Sequence, residues 1–363
     1  MHKLLWISPI LNHYKAKSLS RLNEEAALDV IVLQGRPDTH LGHSVSTEHG
    51  FKRYDVPATK KIFSLHPLTY ITLLQIINRE NPETVLMPLE KKNTTMILLL
   101  YILKGLLDFK LVTYNHPPIS GNTKPEPGAD LFPRFMFLLY DKVIFYTVEG
   151  MQRTVGSGLL PETKAAYANN TLDTRNIWKI HSFSVNTRDP KRLLFIGRLV
   201  PYRKVEDVVT YYTRLKALLP GLELVIIGDG PEAGKVKAIA DSDPRVEWKG
   251  AVTDEAVIAQ EMDRAHAVFM PGHSGLSIVH AFAYGKPYVT SATYPNHPPE
   301  VDYLLDGING LLLKGPISHD VERIAAMLND PEAYSRCCKA AYDKAKALAI
   351  DNWCAQILAA VTG

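Results

Sequence analysis

Three short segments carry residue types and spacings suited to holding a phosphorylated anion. The first is Phe195-Ile196-Gly197-Arg198-Leu199-Val200-Pro201-Tyr202-Arg203-Lys204. An apolar run ends in glycine, and cations follow one, six and seven residues later. Arginine offers phosphate a two-pronged donor and lysine a point charge, so Arg198, Arg203 and Lys204 suit a diphosphate. In the second, Leu224-Val225-Ile226-Ile227-Gly228-Asp229-Gly230-Pro231-Glu232, a buried run enters a tight Gly228-Asp229-Gly230 turn with proline at a helix start. Glycine lets backbone come close to a ligand; by itself this segment reads as turn chemistry. The third runs from Phe269-Met270-Pro271 through Gly272-His273-Ser274-Gly275 to Leu276-Ser277-Ile278-Val279-His280. Here a glycine-rich turn precedes a helix that begins near Gly275. The first amides of a helix lack intrahelical acceptors and lie at the positive end of its dipole, so Gly275, Leu276 and Ser277 predict a pyrophosphate cradle. His280 stands about one turn further along the same helix.

These segments need strands that end where the loops begin. In the first half, apolar runs at 3–10, 29–33, 84–88, 110–114, 142–146 and 165–169 alternate with helical patterns at 16–26, 67–79, 94–105, 129–140 and 149–156. The polar stretch 171–190 interrupts this rhythm and predicts a linker. A second series has strands at 192–196, 222–227, 246–248, 267–270 and 288–291. Its helices are predicted at 205–219, 231–240, 254–265 and 276–284, with a helical tail over 321–360. Runs apolar on both faces and alternating with helices predict two doubly wound parallel sheets, an α/β architecture. Ligands bind beyond the C-terminal ends of such strands, so both halves are expected to face a central cleft.

Order and spacing together carry a resemblance. The chain from Arg192 to about Gly315 resembles the C-terminal domain of retaining glycosyltransferases of family 4, which have the GT-B fold of two Rossmann-like domains. The matching pieces are Gly197-Arg198-Leu199 with its downstream cation, Ile226-Ile227-Gly228-Asp229-Gly230-Pro231, and Gly275-Leu276 through Ala283-Tyr284-Gly285-Lys286-Pro287. Pro299-Glu300-Val301 and Asp306-Gly307-Ile308-Asn309-Gly310 resemble later pieces of the family. Asn169-Asn170-Thr171-Leu172-Asp173 resembles its turn near the linker, and Tyr114-Asn115-His116 its strand-end histidine.

The resemblance implies transfer of a sugar from a nucleoside-diphosphate sugar to an acceptor hydroxyl with retained configuration, in cell-surface polysaccharide or glycolipid synthesis. It implies an acceptor domain over 1–180, a donor domain over 181–345, and a helix at 346–363 crossing back to the first domain. His116, Arg198, Arg203 and Lys204 would be catalytic. Gly197, Gly228, Asp229, Gly230, Gly272, His273, Ser274, Gly275, Leu276, Ser277, His280 and Glu300 would hold the donor. The chain departs from the family at one point: the usual two glutamates, eight residues apart, are here Gly272 and His280. His280 can still hydrogen-bond a ribose hydroxyl, and His273 is placed to take the first glutamate's part. The alternative is a nucleotide-sugar-binding protein without transfer activity.

Composition sets the outer limits. The chain has 363 residues, 46% of them hydrophobic, with 41 Lys and Arg against 38 Asp and Glu. That balance argues against a dedicated nucleic-acid partner. Residues 1–180 are net basic and residues 181–363 net acidic. Lys52, Arg53, Lys60 and Lys61 cluster, as do Lys91 and Lys92 ahead of the apolar run 96–107, a pattern suited to an anionic membrane surface and a lipid-linked or saccharide acceptor; the alternative is a buried core helix with a solvated basic entry. Residues 1–10 lack a small-residue cleavage site and read as a first strand, and the run 96–107 is too short to span a bilayer. The three cysteines, Cys337, Cys338 and Cys354, have neither zinc nor disulfide spacing and fit a reducing cytoplasm, with peripheral placement on the membrane's inner face. Asp241-Ser242-Asp243 falls between a helix and a strand, at the end of the sheet away from the ligand loops, and reads as a surface turn. No metal is expected, because Arg and Lys supply its charge, and no cofactor. Pro9-Ile10-Leu11-Asn12-His13 replaces the glycine fingerprint of a dinucleotide oxidoreductase.

Overall fold

The computed structural model describes residues 1–8, 11, 13–25, 28–35, 50–56, 67–118, 131–294 and 297–363. The chain divides into two compact units: residues 1–173 with 350–363, and residues 174–349. The expectations placed on Pro9, Ile10, Asn12, Lys60, Lys61 and residues 26 and 129–130 lie outside the described residues.

The first unit contains β1 (His2–Ser8), α1 (His13–Glu25), β2 (Leu28–Gly35), β3 (Lys52–Val56), α2 (Pro67–Glu80), β4 (Thr84–Leu86), α3 (Thr94–Lys104), β5 (Lys110–Asn115), α4 (Leu131–Leu139), β6 (Lys142–Phe145), α5 (Val148–Gly156) and β7 (Ala165–Tyr167). Its seven strands are all parallel, in the order β3-β2-β1-β4-β5-β6-β7. Alternation along β1 explains the layering, since successive side chains face opposite ways. Leu5 and Ile7 pack with Leu73 and Ile76 of α2, Met96, Ile97 and Leu100 of α3, and Met136 and Phe137 of α4. Leu4 and Trp6 face the other way, toward Leu19 and Leu22 of α1.

The second unit contains α6 (Arg175–Ile180), β8 (Arg192–Ile196), α7 (Val205–Leu215), β9 (Glu223–Ile227), α8 (Ala233–Ser242), β10 (Val246–Trp248), α9 (Glu255–Arg264), β11 (Ala267–Phe269), α10 (Ser277–Ala283), β12 (Tyr288–Ser291), β13 (Gly310–Leu313), α11 (Ile317–Asn329) and α12 (Pro331–Ala347). Its parallel sheet has the order β10-β9-β8-β11-β12-β13. The last helix, α13 (Ile350–Thr362), belongs to the first unit. Trp353, Ile357 and Val361 complete the core against Leu4 and Trp6. Trp353 Nε1 donates to the Tyr114 hydroxyl at 3.1 Å, and Thr84 Oγ1 to the Val361 carbonyl at 3.1 Å.

Several boundaries differ from the sequence reading. The expected linker holds α6, which belongs to the second unit because Trp178 Nε1 donates to the Ala283 carbonyl at 3.1 Å. The division therefore falls at 173/174 rather than 180/181. The helical tail breaks in two places. Asp330 caps α12 by accepting from the amides of Glu332 and Ala333, and the chain turns again at Leu348. Strands β3 and β13 complete the two sheets at their edges. The three cysteines are buried free thiols.

Candidate functional site

The second sheet reverses its winding between β8 and β11. Loops beyond the strand ends diverge at such a point and leave room for a ligand. Residues 197–204, 228–232 and 270–276, the three segments singled out by sequence, are the loops that follow β8, β9 and β11.

Backbone contacts lock these loops together. Gly197 N–H donates to Ile227 O, Leu199 N–H to Asp229 O and Glu232 N–H to Leu199 O, each at 2.9 Å. A Cβ on Gly228 would collide with the carbonyl of Gly197, so the two loops touch main chain to main chain, with Gly228 at φ +142°. Gly230 lies similarly against Leu199, and Asp229 Oδ1 accepts from its amide at 2.7 Å. The third loop joins through His273 N–H, which donates to Tyr202 O at 2.9 Å. A Cβ on Gly272 would run into Tyr202 O and the Arg203 backbone. That contact explains the missing glutamate at 272: no side chain fits there.

The predicted cations separate into two kinds. Arg203 is half-buried; its Nη1 donates to the carbonyls of His273 and of Ser274 (3.0 Å) and lies 2.7 Å from Met270 Sδ. Burial pushes its pKa down. It is a strut for the glycine-rich turn. Arg198 and Lys204 are exposed. Arg198 Nη2 donates to the Tyr202 hydroxyl at 3.0 Å. Lys204 stands at φ +57°, and its side chain has no hydrogen bond or ion pair among the described residues.

The turn itself is rigidly braced. Buried Ser274 donates to Gly272 O at 3.1 Å and pairs with Thr290 Oγ1 at 2.9 Å. Ser277 Oγ donates to Ser274 O at 3.0 Å and meets the Tyr288 hydroxyl at 2.7 Å. These hydroxyls face inward, whereas the amides of Gly275, Leu276 and Ser277 meet no protein acceptor among the described residues. The His273 ring lies 5.3 Å from that of Tyr202, edge to face. Glu300, 3% exposed, places Oε2 4.0 Å from where a Cβ on Gly275 would stand.

His280 does not stand alone, as the sequence left it. Its Nε2 lies 2.8 Å from Glu255 Oε1, the same oxygen that accepts from the Tyr284 hydroxyl at 2.6 Å. Sequence reasoning named Tyr284 only within the Ala283–Pro287 piece and missed Glu255, since no periodicity links position 255 to 280 and 284. Asp241 and Asp243 are taken by Lys237 and Lys216, each at 2.6 Å, at the opposite end of the sheet.

His116 belongs to the first unit and follows β5, the strand next to β4 and so beside that sheet's own reversal between β1 and β4. It lines a pocket of about 370 Å³ with Trp6, Tyr14, Lys15, Glu90, Lys92 and Tyr146, among others. Lys15 Nζ lies 4.9 Å from the centre of the Tyr114 ring and 5.2 Å from that of Trp353. The His116 ring lies 4.6 Å from that of Tyr146. One side of His116 reaches solvent; crowding on the other holds its pKa down, with Glu90 opposing and Lys15 adding to the shift. A larger cavity of about 670 Å³, between residues 184–190 and Arg192, lies at the opposite end of β8 and β9 and holds none of the predicted site residues.

Residues 176–344 match the family described as Glycosyl transferases group 1. A comparison with curated protein sequences finds no match. Among solved structures, the chain is similar to Anabaena HepE in complex with UDP, at 16% identity and TM-score 0.68 over 100% of both chains. It is similar to sucrose-phosphate synthase from Thermosynechococcus elongatus, at 14% identity and TM-score 0.67 over 98% of this chain and 97% of that one. It is also similar to the apo form of the lipopolysaccharide outer core galactosyltransferase WaaB, at 16% identity and TM-score 0.70 over 99% of both. These likenesses show the GT-B fold, two Rossmann-like domains, and the residues that match the glycosyl transferases group 1 model, 176–344, lie in the second unit.

Proposed function

We propose that the protein is a retaining glycosyltransferase of family 4, moving a sugar from a nucleoside-diphosphate sugar to a saccharide or lipid-linked acceptor hydroxyl. The observation that carries this reading is the meeting of two exposed cations, Arg198 and Lys204, and the open amides of Gly275, Leu276 and Ser277 on interlocked loops at one sheet reversal. Leaving-group charge grows on the diphosphate as the glycosidic bond breaks, and fixed donors of this kind stabilise it without reorganising. The cations take the place a metal ion would fill, so transfer proceeds without one. HepE, structurally similar, is described in complex with UDP and glucose, which supports a nucleotide-sugar donor. His116 is assigned to the sugar from its place in the pocket of the first unit.

The test is a thermal-shift panel of nucleotide sugars, then transfer assays with chelator present and the anomeric configuration of the product read by NMR. Arg198→Ala should slow transfer; a rate equal to wild type overturns the assignment. A second reading, binding without turnover, is favoured by Gly272, where the usual glutamate has no room. Ligand-induced stabilisation with no product would establish it.

The acceptor side carries a membrane proposal at the cytoplasmic face, as cell-surface polysaccharide or glycolipid synthesis requires. Helices α2, α3 and α4 cover one face of the first sheet, and several of their exposed positions are apolar. Ile71, Ile102, Phe135 and Leu138 are 51%, 63%, 55% and 63% exposed, and Leu106 just past α3 is 78% exposed. Exposed Lys91, Lys92 and Arg134 belong to the same layer. Apolar area fringed by cations suits the surface of an anionic bilayer. No described helix is long and apolar enough to cross a membrane. Flotation with phosphatidylglycerol vesicles should carry the protein up, and Ile102→Glu with Leu106→Glu should leave it behind; flotation equal in both would overturn the surface.

A further inference from the structure

The contact between His280 and Glu255 joins two elements at the ligand end of the second sheet. Glu255 opens α9, which follows β10 through a loop leaving that strand's C-terminal end. Contact with Glu255 therefore holds the His280 imidazole at the same end of the sheet as the loops after β8, β9 and β11. The side chains of His280 and Glu255 are 16% and 38% exposed, so the pair is reachable from solvent. Tyr284, fully buried, donates to the carboxylate from behind at 2.6 Å.

The chemistry of the pair fixes the ring. A carboxylate only accepts hydrogen bonds, so Nε2 of His280 carries the hydrogen between them. In the neutral ring the lone pair is then at Nδ1, which meets no protein donor among the described residues. We propose that Glu255 is a positioning residue for nucleotide recognition. Braced by Tyr284, it sets the tautomer and rotation of His280, and Nδ1 accepts a hydrogen bond from a ribose hydroxyl. The carboxylate missing from position 280 is thus supplied by a neighbouring helix and acts through the imidazole. This inference rests on the nucleotide-sugar reading above, in which His280 meets the ribose, and adds to it the carboxylate that orients the ring.

Calorimetry with UDP, GDP and ADP, each beside its 2′,3′-dideoxy counterpart, tests it. Wild type should bind the ribose form of its preferred nucleotide about tenfold more tightly, the worth of a net hydrogen bond. Glu255→Ala frees the ring, and Glu255→Gln has an amide that can donate to Nε2 and move the ring hydrogen to Nδ1. Both should cut the preference to about threefold or less, and His280→Ala should abolish it. Tyr284→Phe should fall between. Affinity for the dideoxy form should stay within about twofold throughout, whereas a merely structural role would weaken both forms together. A preference unchanged in both Glu255 variants, or equal loss of both forms, overturns the inference while nucleotide binding stands. Failure of all three diphosphates to bind wild type overturns the reading beneath it.

Discussion

Nη1 of Arg203 donates to the carbonyl oxygen of Ser274 at 3.0 Å, across from the loop after β8 to the loop after β11. A side chain chosen by sequence for the ligand's charge is held by the protein's own backbone. Arg198 and Lys204 remain open, so the cluster is divided between building the site and using it.

That division predicts opposite behaviour for two arginines. Arg203→Ala removes the side-chain donor to the His273 carbonyl and one of the two donors to the Ser274 carbonyl, and should cost about 2 kcal/mol of stability along with nucleotide affinity. Arg198→Ala should leave the melting temperature unchanged and weaken nucleotide binding about tenfold or more. Urea unfolding and calorimetry on both variants separate the roles; a stability loss in Arg198→Ala of the same size as in Arg203→Ala would contradict the division.

Placing at 272 the glutamate that the resemblance to family 4 calls for should not raise activity here. Gly272→Glu drives a side chain into Tyr202 O and the Arg203 backbone, and even Gly272→Ala places its Cβ there. We expect a loss of about 3 kcal/mol or more for either change, with transfer activity lowered rather than raised. Activity above wild type in Gly272→Glu would show that the turn can move aside.

His266 makes stability depend on pH. Its Nδ1 accepts from the Arg192 amide at 3.0 Å and its Nε2 lies 2.9 Å from Arg188 O, so the buried ring is neutral. Burial, helped by Lys191, lowers its pKa from 6.5 to about 4. The unfolded chain takes up this proton as pH falls through about 6.5, and the folded chain only near 4. Stability from this group is therefore complete above the first value, declines between the two by about 3 kcal/mol in all, and levels off below the second. His181 and His297 are also held low by burial and slope the same way. Urea midpoints of wild type and His266→Gln between pH 7 and pH 4 isolate the His266 share, and parallel curves would refute it.

Trp353 should be the most sensitive residue of α13. It is 1% exposed, packs its ring 6.3 Å from those of Trp6 and Tyr114, and donates to the Tyr114 hydroxyl. Trp353→Ala should cost about 3–5 kcal/mol by cavity and lost contact, and Trp353→Phe distinctly less. Equal losses would point to the indole N–H alone.

Much of this was legible before any fold was seen. The strands at 192–196, 246–248 and 288–291 are apolar runs between turn signals, and each forms where expected. Strand β3 escaped because Lys52 and Arg53 read as a basic cluster; at a sheet edge both are exposed, and only Val56 is buried. Helix α6 escaped because its surroundings are polar and its register is set by Trp178 reaching Ala283. In the site, residue types gave the cations and the turns, but not which cation faces inward. That depends on where the carbonyls of His273 and Ser274 lie, and the pairing of His280 with Glu255 depends on the packing of α9 beside α10. Neither is a property of local spacing.

The place of α13 bears on how the protein is made. The first unit is discontinuous: residues 350–363 close the sheet face lined by Leu4, Trp6, Val30 and Val32. A ribosome delivers the strands of that sheet and α1 early, and α13, which completes the cover of this face, only after the whole second unit. Through that interval the nascent chain carries an open apolar face, the kind of surface for which chaperones compete.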